Sequence, residues 1–313
     1  MMENTKRSKG VYAAILPCAL WGMAFPAIKL GYGVYGIGAS DVGGQLLFAG
    51  IRFFFAGVLA WCIGSVIYRR ALIPHRTSVK KILMLSMFQT FIQYMFFYVG
   101  LAHTTGVKSS IITASNVFFA VIISSLILGM EKSSAAKWTG VAVGFLGVII
   151  INLSAGLGYD FTFTGEGFMI ISSLSSAISS ILIKKYTKDE PAFTLSAFQF
   201  MVGGALLSIV GMSINYANSG ALHGFSIDRE DYIKAVLILL WLSGISAVAY
   251  SIWGILLNRH EVSRITVFGF LIPVFGTIFS MLLLHETTGF SPMRVIISLI
   301  LVSAGTMLVQ KNP

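Results

Sequence analysis

Long apolar runs, broken by short clusters of charge, glycine, proline and serine, follow one another along the whole chain. Ten are long enough to count as elements: 11–31, 45–68, 82–101, 109–128, 138–153, 167–183, 193–213, 233–257, 265–284 and 293–309. A helix needs about 20 apolar residues to cross a hydrocarbon layer of roughly 30 Å. The runs lack the alternation of barrel strands, and hydrocarbon offers no partner for backbone N–H and C=O. Each run is therefore predicted to be a helix. The expected fold class is an all-α polytopic membrane protein with ten transmembrane helices.

The pattern also repeats. Segment 107–152 resembles 261–310: each holds a span that ends in Leu128-Gly129-Met130-Glu131 or Leu283-Leu284-His285-Glu286, then a polar connection and a glycine-containing terminal span. Each half, 1–155 and 166–313, is then expected to hold five helices. Five is odd, so the second half enters the membrane from the opposite side. That makes two inverted repeats, with a solute site near the midplane between them.

Charge orients the spans. With the N-terminus inside, sixteen of the 22 Lys and Arg fall in the cytoplasm: Lys6, Arg7, Lys9, Arg69, Arg70, Arg76, Lys80, Lys81, Lys132, Lys137, Lys184, Lys185, Lys188, Arg259, Arg264 and Lys311. Lys108, Arg229, Lys234 and Arg294 fall outside, while Lys29 and Arg52 lie within or at the edge of spans. This bias predicts a multi-pass protein of a bacterial-type inner membrane with both termini cytoplasmic. The first run follows Lys6, Arg7 and Lys9 but has no clear small-residue cleavage site. Pro17 also stands where a lipoprotein signal needs a small residue before Cys18, so the run is expected to remain as the first helix.

Composition narrows the function. With 56% hydrophobic and 11% charged residues, the chain has no room for a sizeable soluble domain. The net charge of +10 is spread in short groups rather than one basic patch, which argues against nucleic acid as a partner. Cys18 and Cys62 both lie in apolar spans and support no disulfide framework. His75, His103, His223, His260 and His285 fall in connections, with no HExxH pair and no Ser/His arrangement at one depth. Neither a metal, a cofactor nor an enzyme activity is expected.

Arg52 is the most informative residue. It lies about seven positions inside the second span, roughly 10 Å from its outer end at about 1.5 Å per residue. A charge there costs from about 2.5 kcal/mol upward, so it should face the bundle interior or water. Two readings stand: the guanidinium neutralises an anionic group on a solute or anchors a gate, or it caps carbonyls or snorkels outward. Lys29 is expected to reach the interface. Trp21 and Phe25 share a face and can form a stacking wall or ordinary packing. Ser86, Gln89 and Gln93 also share a face, as a polar cavity wall or as interhelical glue. Tyr250 and Trp253 are the second half's aromatic candidates, and Gln199 stands near the repeat position of Arg52. The serines at 172, 176 and 180 and the row Gly269, Pro273, Gly276 and Ser280 are expected to be packing surfaces, with Pro273 as a candidate hinge. Glu131 and Glu286 terminate corresponding helices and are expected to close loops. No Asp or Glu lies deep in any span, which weighs against a buried carboxylate proton relay.

Trp21-Gly22-Met23-Ala24-Phe25-Pro26-Ala27-Ile28-Lys29, Ile51-Arg52-Phe53 and Leu128-Gly129-Met130-Glu131 together resemble EamA-type members of the drug/metabolite transporter superfamily. The likeness covers nearly the whole chain. It implies ten helices around a central cavity and solute movement by alternating access, often as export. Two departures stand out. Asn116 sits where the first repeat often has a proline, which puts an amide beside a broken helix, and the loop 32–44 is long and glycine-rich. The expected function is transport of a small organic solute, an amino acid or related metabolite, with membrane lipid as the other partner and no coupling ion assigned. A lipid or lipid-linked flippase, or drug efflux, on the same fold is the alternative.

Overall fold

The computed structural model describes residues 12–128, 134–153, 161–187, 190–220, 224–259, 265, 267–286 and 291–311. Lys6, Arg7, Lys9, Lys132, Lys188, Arg264, Glu131, His223 and His260 lie outside them. The described residues form helices joined by short turns, with no strand among them. The helices are α1 (Ile15–Val34), α2 (Val42–Tyr68), α3 (Arg76–His103), α4 (Gly106–Ile127), α5 (Ala135–Ile151), α6 (Phe168–Tyr186), α7 (Ala192–Ser219), α8 (Tyr232–Arg259), α9 (Leu271–Leu284) and α10 (Pro292–Lys311). Eight are long and apolar enough to cross a membrane; α5 and α9, which fall on the predicted runs 138–153 and 265–284, are shorter than these eight.

Local sequence explains where the helices bend. Pro26 lies inside α1. The segment Ser86–Ile92 of α3 is a π-helix, which shifts the helical phase and re-aims the residues on either side. In α4 the regular helix breaks at Ala114, between Gly106–Thr113 and Ser115–Ile122. Pro273 falls in the first turn of α9, just after the 3-10 turn Val267–Phe270. There its missing N–H costs no interior hydrogen bond, and the break in regular helix lies beside it. The loop 32–44 is shorter than its composition suggests, because α1 runs on to Val34 and α2 begins at Val42.

Close approach of backbones shapes the bundle. Gly43, Gly50 and Gly57 on α2 recur every seven residues against Gly211, Gly204 and Ala197 on α7, which runs antiparallel. A Cβ on Gly50 would sit 2.6 Å from the Gly204 carbonyl oxygen, and one on Gly204 would sit 2.5 Å from the Phe54 nitrogen. A second seam joins α5 to α10, where a Cβ on Gly140 would sit 2.8 Å from the Gly305 oxygen. Small residues at such contacts let dispersion and backbone contact substitute for a hydrophobic effect that lipid does not supply.

The packing scheme survives an exchange of the first five helices with the last five. Helix α1 packs on α8 and α9, as α6 packs on α3 and α4; α2 packs on α8, as α7 packs on α3. The loops follow the same rule. Tyr35, after α1, donates to the Ala235 carbonyl of α8 at 2.8 Å, and Ser78, at the start of α3, donates to Glu190, after α6, at 2.9 Å. Burial holds the Tyr35 phenol above its ordinary pKa, so this donor keeps its proton well past neutral pH. The core beneath these ends is rich in aromatic side chains, including Phe48, Phe53, Phe97, Tyr98 and Phe200, whereas Val66, Leu126, Ile233 and Leu282 are exposed on the outside of the bundle.

The α2/α7 seam gives a direct prediction. Gly204→Leu forces two backbones apart and should lower stability by about 1–3 kcal/mol, the usual cost of overpacking. Gly244→Ala is the control, because nothing lies within 4 Å of its missing Cβ. Thermal melting of both purified variants by fluorescence-detected size-exclusion chromatography checks it; equal melting temperatures would contradict the seam.

Candidate functional site

Arg52 sits on α2 with 2% of its surface exposed. Its Nε donates to the Leu242 carbonyl at 3.2 Å, Nη2 to the Ser246 Oγ at 2.8 Å, and Nη1 to the Tyr98 hydroxyl. The guanidinium carbon lies 4.7 Å from the centre of the Phe53 ring. In return, Ser243 donates to the Arg52 backbone carbonyl at 3.1 Å. The side chain thus joins α2, α3 and α8 and does not snorkel outward. Among the described residues no carboxylate pairs with it, so none of them compensates its charge.

Beside this clamp the structure gathers aromatic and amide groups. Tyr94 packs on Phe53 with ring centres 4.0 Å apart. Its hydroxyl and the Gln89 side chain lie beside the Tyr250 hydroxyl. Trp21 meets Tyr250 and Trp253 edge-on, each at 5.2 Å, and Phe200 backs Tyr250 at 5.0 Å. One turn along α1 and α3, Phe25 meets Phe97 at 5.5 Å. Trp21, Gln89, Tyr250 and Trp253 therefore come together from three separate runs of sequence, α1, α3 and α8. Gln89 lies within the π-helical stretch and Gln93 just beyond it, and both are buried.

Other candidates are placed differently. Asn116 donates to the Ser176 Oγ on α6 at 3.4 Å, while the adjacent Ser175 donates to the Phe88 carbonyl of α3 at 2.6 Å. Gln199 is fully buried and accepts from the Thr90 hydroxyl, which encloses it between α7 and α3. Pro273 is buried where α9 faces α4, near Ser110, whose hydroxyl also donates to the Val107 carbonyl at 2.9 Å. Lys29 pairs with Glu286 at 3.1 Å. Two groups of the cluster have unmet hydrogen-bonding capacity: Trp21 Nε1, a donor, and Gln93 Oε1, an acceptor, are buried with no partner among the described residues. Each such group costs roughly 1–3 kcal/mol unless something else satisfies it.

Sequence reasoning missed Tyr94 and Tyr98. The run Tyr94-Met95-Phe96-Phe97-Tyr98 follows Gln93 directly and was a signal of an aromatic face. The contact of Tyr98 with Arg52 spans 46 positions and had no local signature. Chemically, the cluster offers amides, phenols, indoles and a nearby positive field. It suits recognition by stacking and hydrogen bonding.

A helical bundle of this hydropathy, with eight helices apolar and long enough to span among the described residues, is a multi-pass membrane protein. The chain belongs to the EamA-like transporter family, whose model matches residues 8–153 and again 163–310. It is 24% identical to a probable amino-acid metabolite efflux pump of Salmonella typhimurium, over 89% of this chain and 88% of that protein. A protein of the same description from Escherichia coli is 25% identical, over 90% of this chain and 88% of its own length. A WAT1-related chloroplastic protein of Arabidopsis thaliana is 24% identical over 90% of this chain, which spans only 65% of the plant protein. The match to an uncharacterized transporter of Archaeoglobus fulgidus likewise spans 65% of that relative. One crystal structure superposes with a TM-score of 0.61 over 95% of this chain and 96% of its own, at 16% identity, which shows the fold.

The Arg52 clamp yields a prediction. Tyr98→Phe leaves a buried guanidinium N–H without its acceptor and should cost about 1.5–3 kcal/mol, the worth of a hydrogen bond to a charged group. Ser213→Ala, which removes an exposed bond within α7, should cost little. Melting temperatures of the two variants decide it; an unchanged Tyr98→Phe protein would show that Arg52 does not depend on this bond.

Proposed function

We propose that the protein carries a small organic solute bearing a carboxylate or other anionic group, an amino acid or related metabolite, across a bacterial-type inner membrane, in the direction of export. The solute occupies the cluster formed by Trp21, Gln89, Gln93, Asn116, Tyr94, Tyr250 and Trp253. The observation that carries this reading is an uncompensated guanidinium packed directly behind aromatic and amide groups with unmet hydrogen bonds. Arg52 spends at least three of its N–H groups on the protein, so it acts on the solute mainly through its field. A carboxylate roughly 8 Å away gains about 2 kcal/mol at an effective dielectric of 20. Gln199 supports α3 from behind.

Movement follows alternating access between two five-helix units, 1–155 and 166–313, with ten spans, inverted topology and both termini cytoplasmic. The exchange symmetry of the helix contacts supports the two units, and the distribution of Lys and Arg supports the orientation. The names of the Salmonella and Escherichia coli relatives support amino-acid metabolites as the solute class and efflux as the direction.

Thermal shift of the purified protein against amino acids, organic acids, organic cations and lipids tests the solute class. A solute at 100 times its dissociation constant should stabilise by about 2.7 kcal/mol. Carboxylate-bearing solutes should give the shift. Gln93→Ala and Asn116→Ala should abolish it and reduce proteoliposome flux while leaving the amount of folded protein unchanged. A shift produced by cations or lipids alone would overturn the proposal.

A further inference from the structure

The turn 104–108, between α3 and α4, is gripped by two carboxylates, and both come from the second family repeat. Glu286 follows α9, where His285 takes a left-handed φ of 53° and turns the chain back. Its carboxylate accepts from the backbone N–H groups of Gly106 at 3.0 Å and Val107 at 3.1 Å, and it pairs with Lys29 Nζ on α1 at 3.1 Å. Glu166, just before α6, accepts from the Thr104 hydroxyl and pairs with Lys108 Nζ at 3.4 Å, both side chains being almost wholly buried. It also accepts from the N–H and hydroxyl of Thr162, at 2.8 and 3.0 Å, which fixes the carboxylate on its own segment. Lys29, Thr104, Gly106, Val107 and Lys108 belong to the first repeat, so these grips join one half to the other.

The surfaces beneath the carboxylates are small and smooth. A Cβ on Gly106 would overlap the Ser280 hydroxyl, and one on Gly276 would lie 2.5 Å from the Ser110 Cβ. At these two points the contact is between small side chains. The turn at Ala114 also interrupts the regular helix between Gly106–Thr113 and the rest of α4. The α2/α7 and α5/α10 seams, by contrast, are locked by backbone contact along their length. At this end of the bundle, charged hydrogen bonds from Glu286 and Glu166 add to the apolar packing of Val107, Ile111 and Ile112. Lys29 and Glu286 keep side-chain exposures of 23% and 12%, so water can take over their bonds as soon as they part.

We propose that Glu286 and Glu166 form a two-carboxylate latch that holds this end of the solute path shut, with Lys29 and Lys108 as its counter-charges. The inference rests on the transport reading above, because a latch needs a path to close. Opening transfers the grips on the turn to water, and closure re-forms them without any solute contact.

Ser280, fully buried behind Gly106, supplies the reporter. A Ser280→Cys protein in a Cys62→Ser background, reconstituted in liposomes, is treated with a membrane-impermeant maleimide from each face. Slow modification is expected in the parent. Glu286→Gln should speed it roughly tenfold from one face only, the ratio for about 1.4 kcal/mol of lost closed-state preference. Lys29→Met, which leaves the bonds to Gly106 and Val107 intact, should give a smaller rise. Unchanged labelling in Glu286→Gln and Glu166→Gln would overturn the latch. As a second arm, a Lys29→Cys/Glu286→Cys protein bridged by a short bis-methanethiosulfonate should lose solute flux and regain it on reduction; flux unaffected by the bridge would also overturn it. Labelling needs no solute, so absence of flux in the unbridged parent counts against the transport reading alone.

Discussion

Hydrocarbon makes no hydrogen bonds, so a polar group inside the bundle either finds its partner on a neighbouring helix or keeps an unmet valence. Arg52 is the costliest case. Its burial is tolerated because Leu242, Ser246 and Tyr98 supply acceptors from two other helices, and because the aromatic faces of Phe53 and Tyr98 receive its charge. The position of α3 against α2 and α8 follows from that demand. With α3 held there, Tyr94 and Gln89 are brought to Tyr250, and Trp21 closes on the same ring. The aromatic and amide cluster is thus built outward from one buried cation.

The same demand separates rigid contacts from breakable ones. Where backbones touch through Gly50 and Gly204, or through Gly140 and Gly305, many weak contacts act together and no polar group is released by motion. Where Glu286 and Glu166 hold the turn 104–108, a few strong bonds act at the bundle end, close to water. Contacts of the first kind suit elements that move as bodies. Contacts of the second kind suit a boundary with two discrete states, since charged hydrogen bonds are either formed or exchanged for water.

Irregular helix contributes to the same design. The π-helical stretch Ser86–Ile92 shifts the phase of α3 between Ser86 and Gln93. A regular helix would have kept Ser86, Gln89 and Gln93 in one stripe; the π-helical turn separates the direction of Ser86, which bonds to the Ile82 carbonyl, from that of Gln93. Breaks at Ala114 and beside Pro273 fall at related places in α4 and α9, the two helices that meet through Ser110 and Gly276.

By itself the sequence determined the helical class, the positions of the apolar runs and the short list of polar residues worth attention, because a lipid solvent leaves the backbone one choice and makes each embedded polar side chain conspicuous. It also announced Glu286 as a helix terminus, although not its partners. Only the tertiary structure decided that Arg52 is bonded to Tyr98 and Ser246, that Gln199 faces Thr90, and that Glu286 meets Gly106, Val107 and Lys29. These contacts span from 46 to 257 positions. They depend on how each helix is rotated about its axis and how closely small residues let it approach its neighbours, and the periodicity of an almost uniformly apolar run carries little of that information.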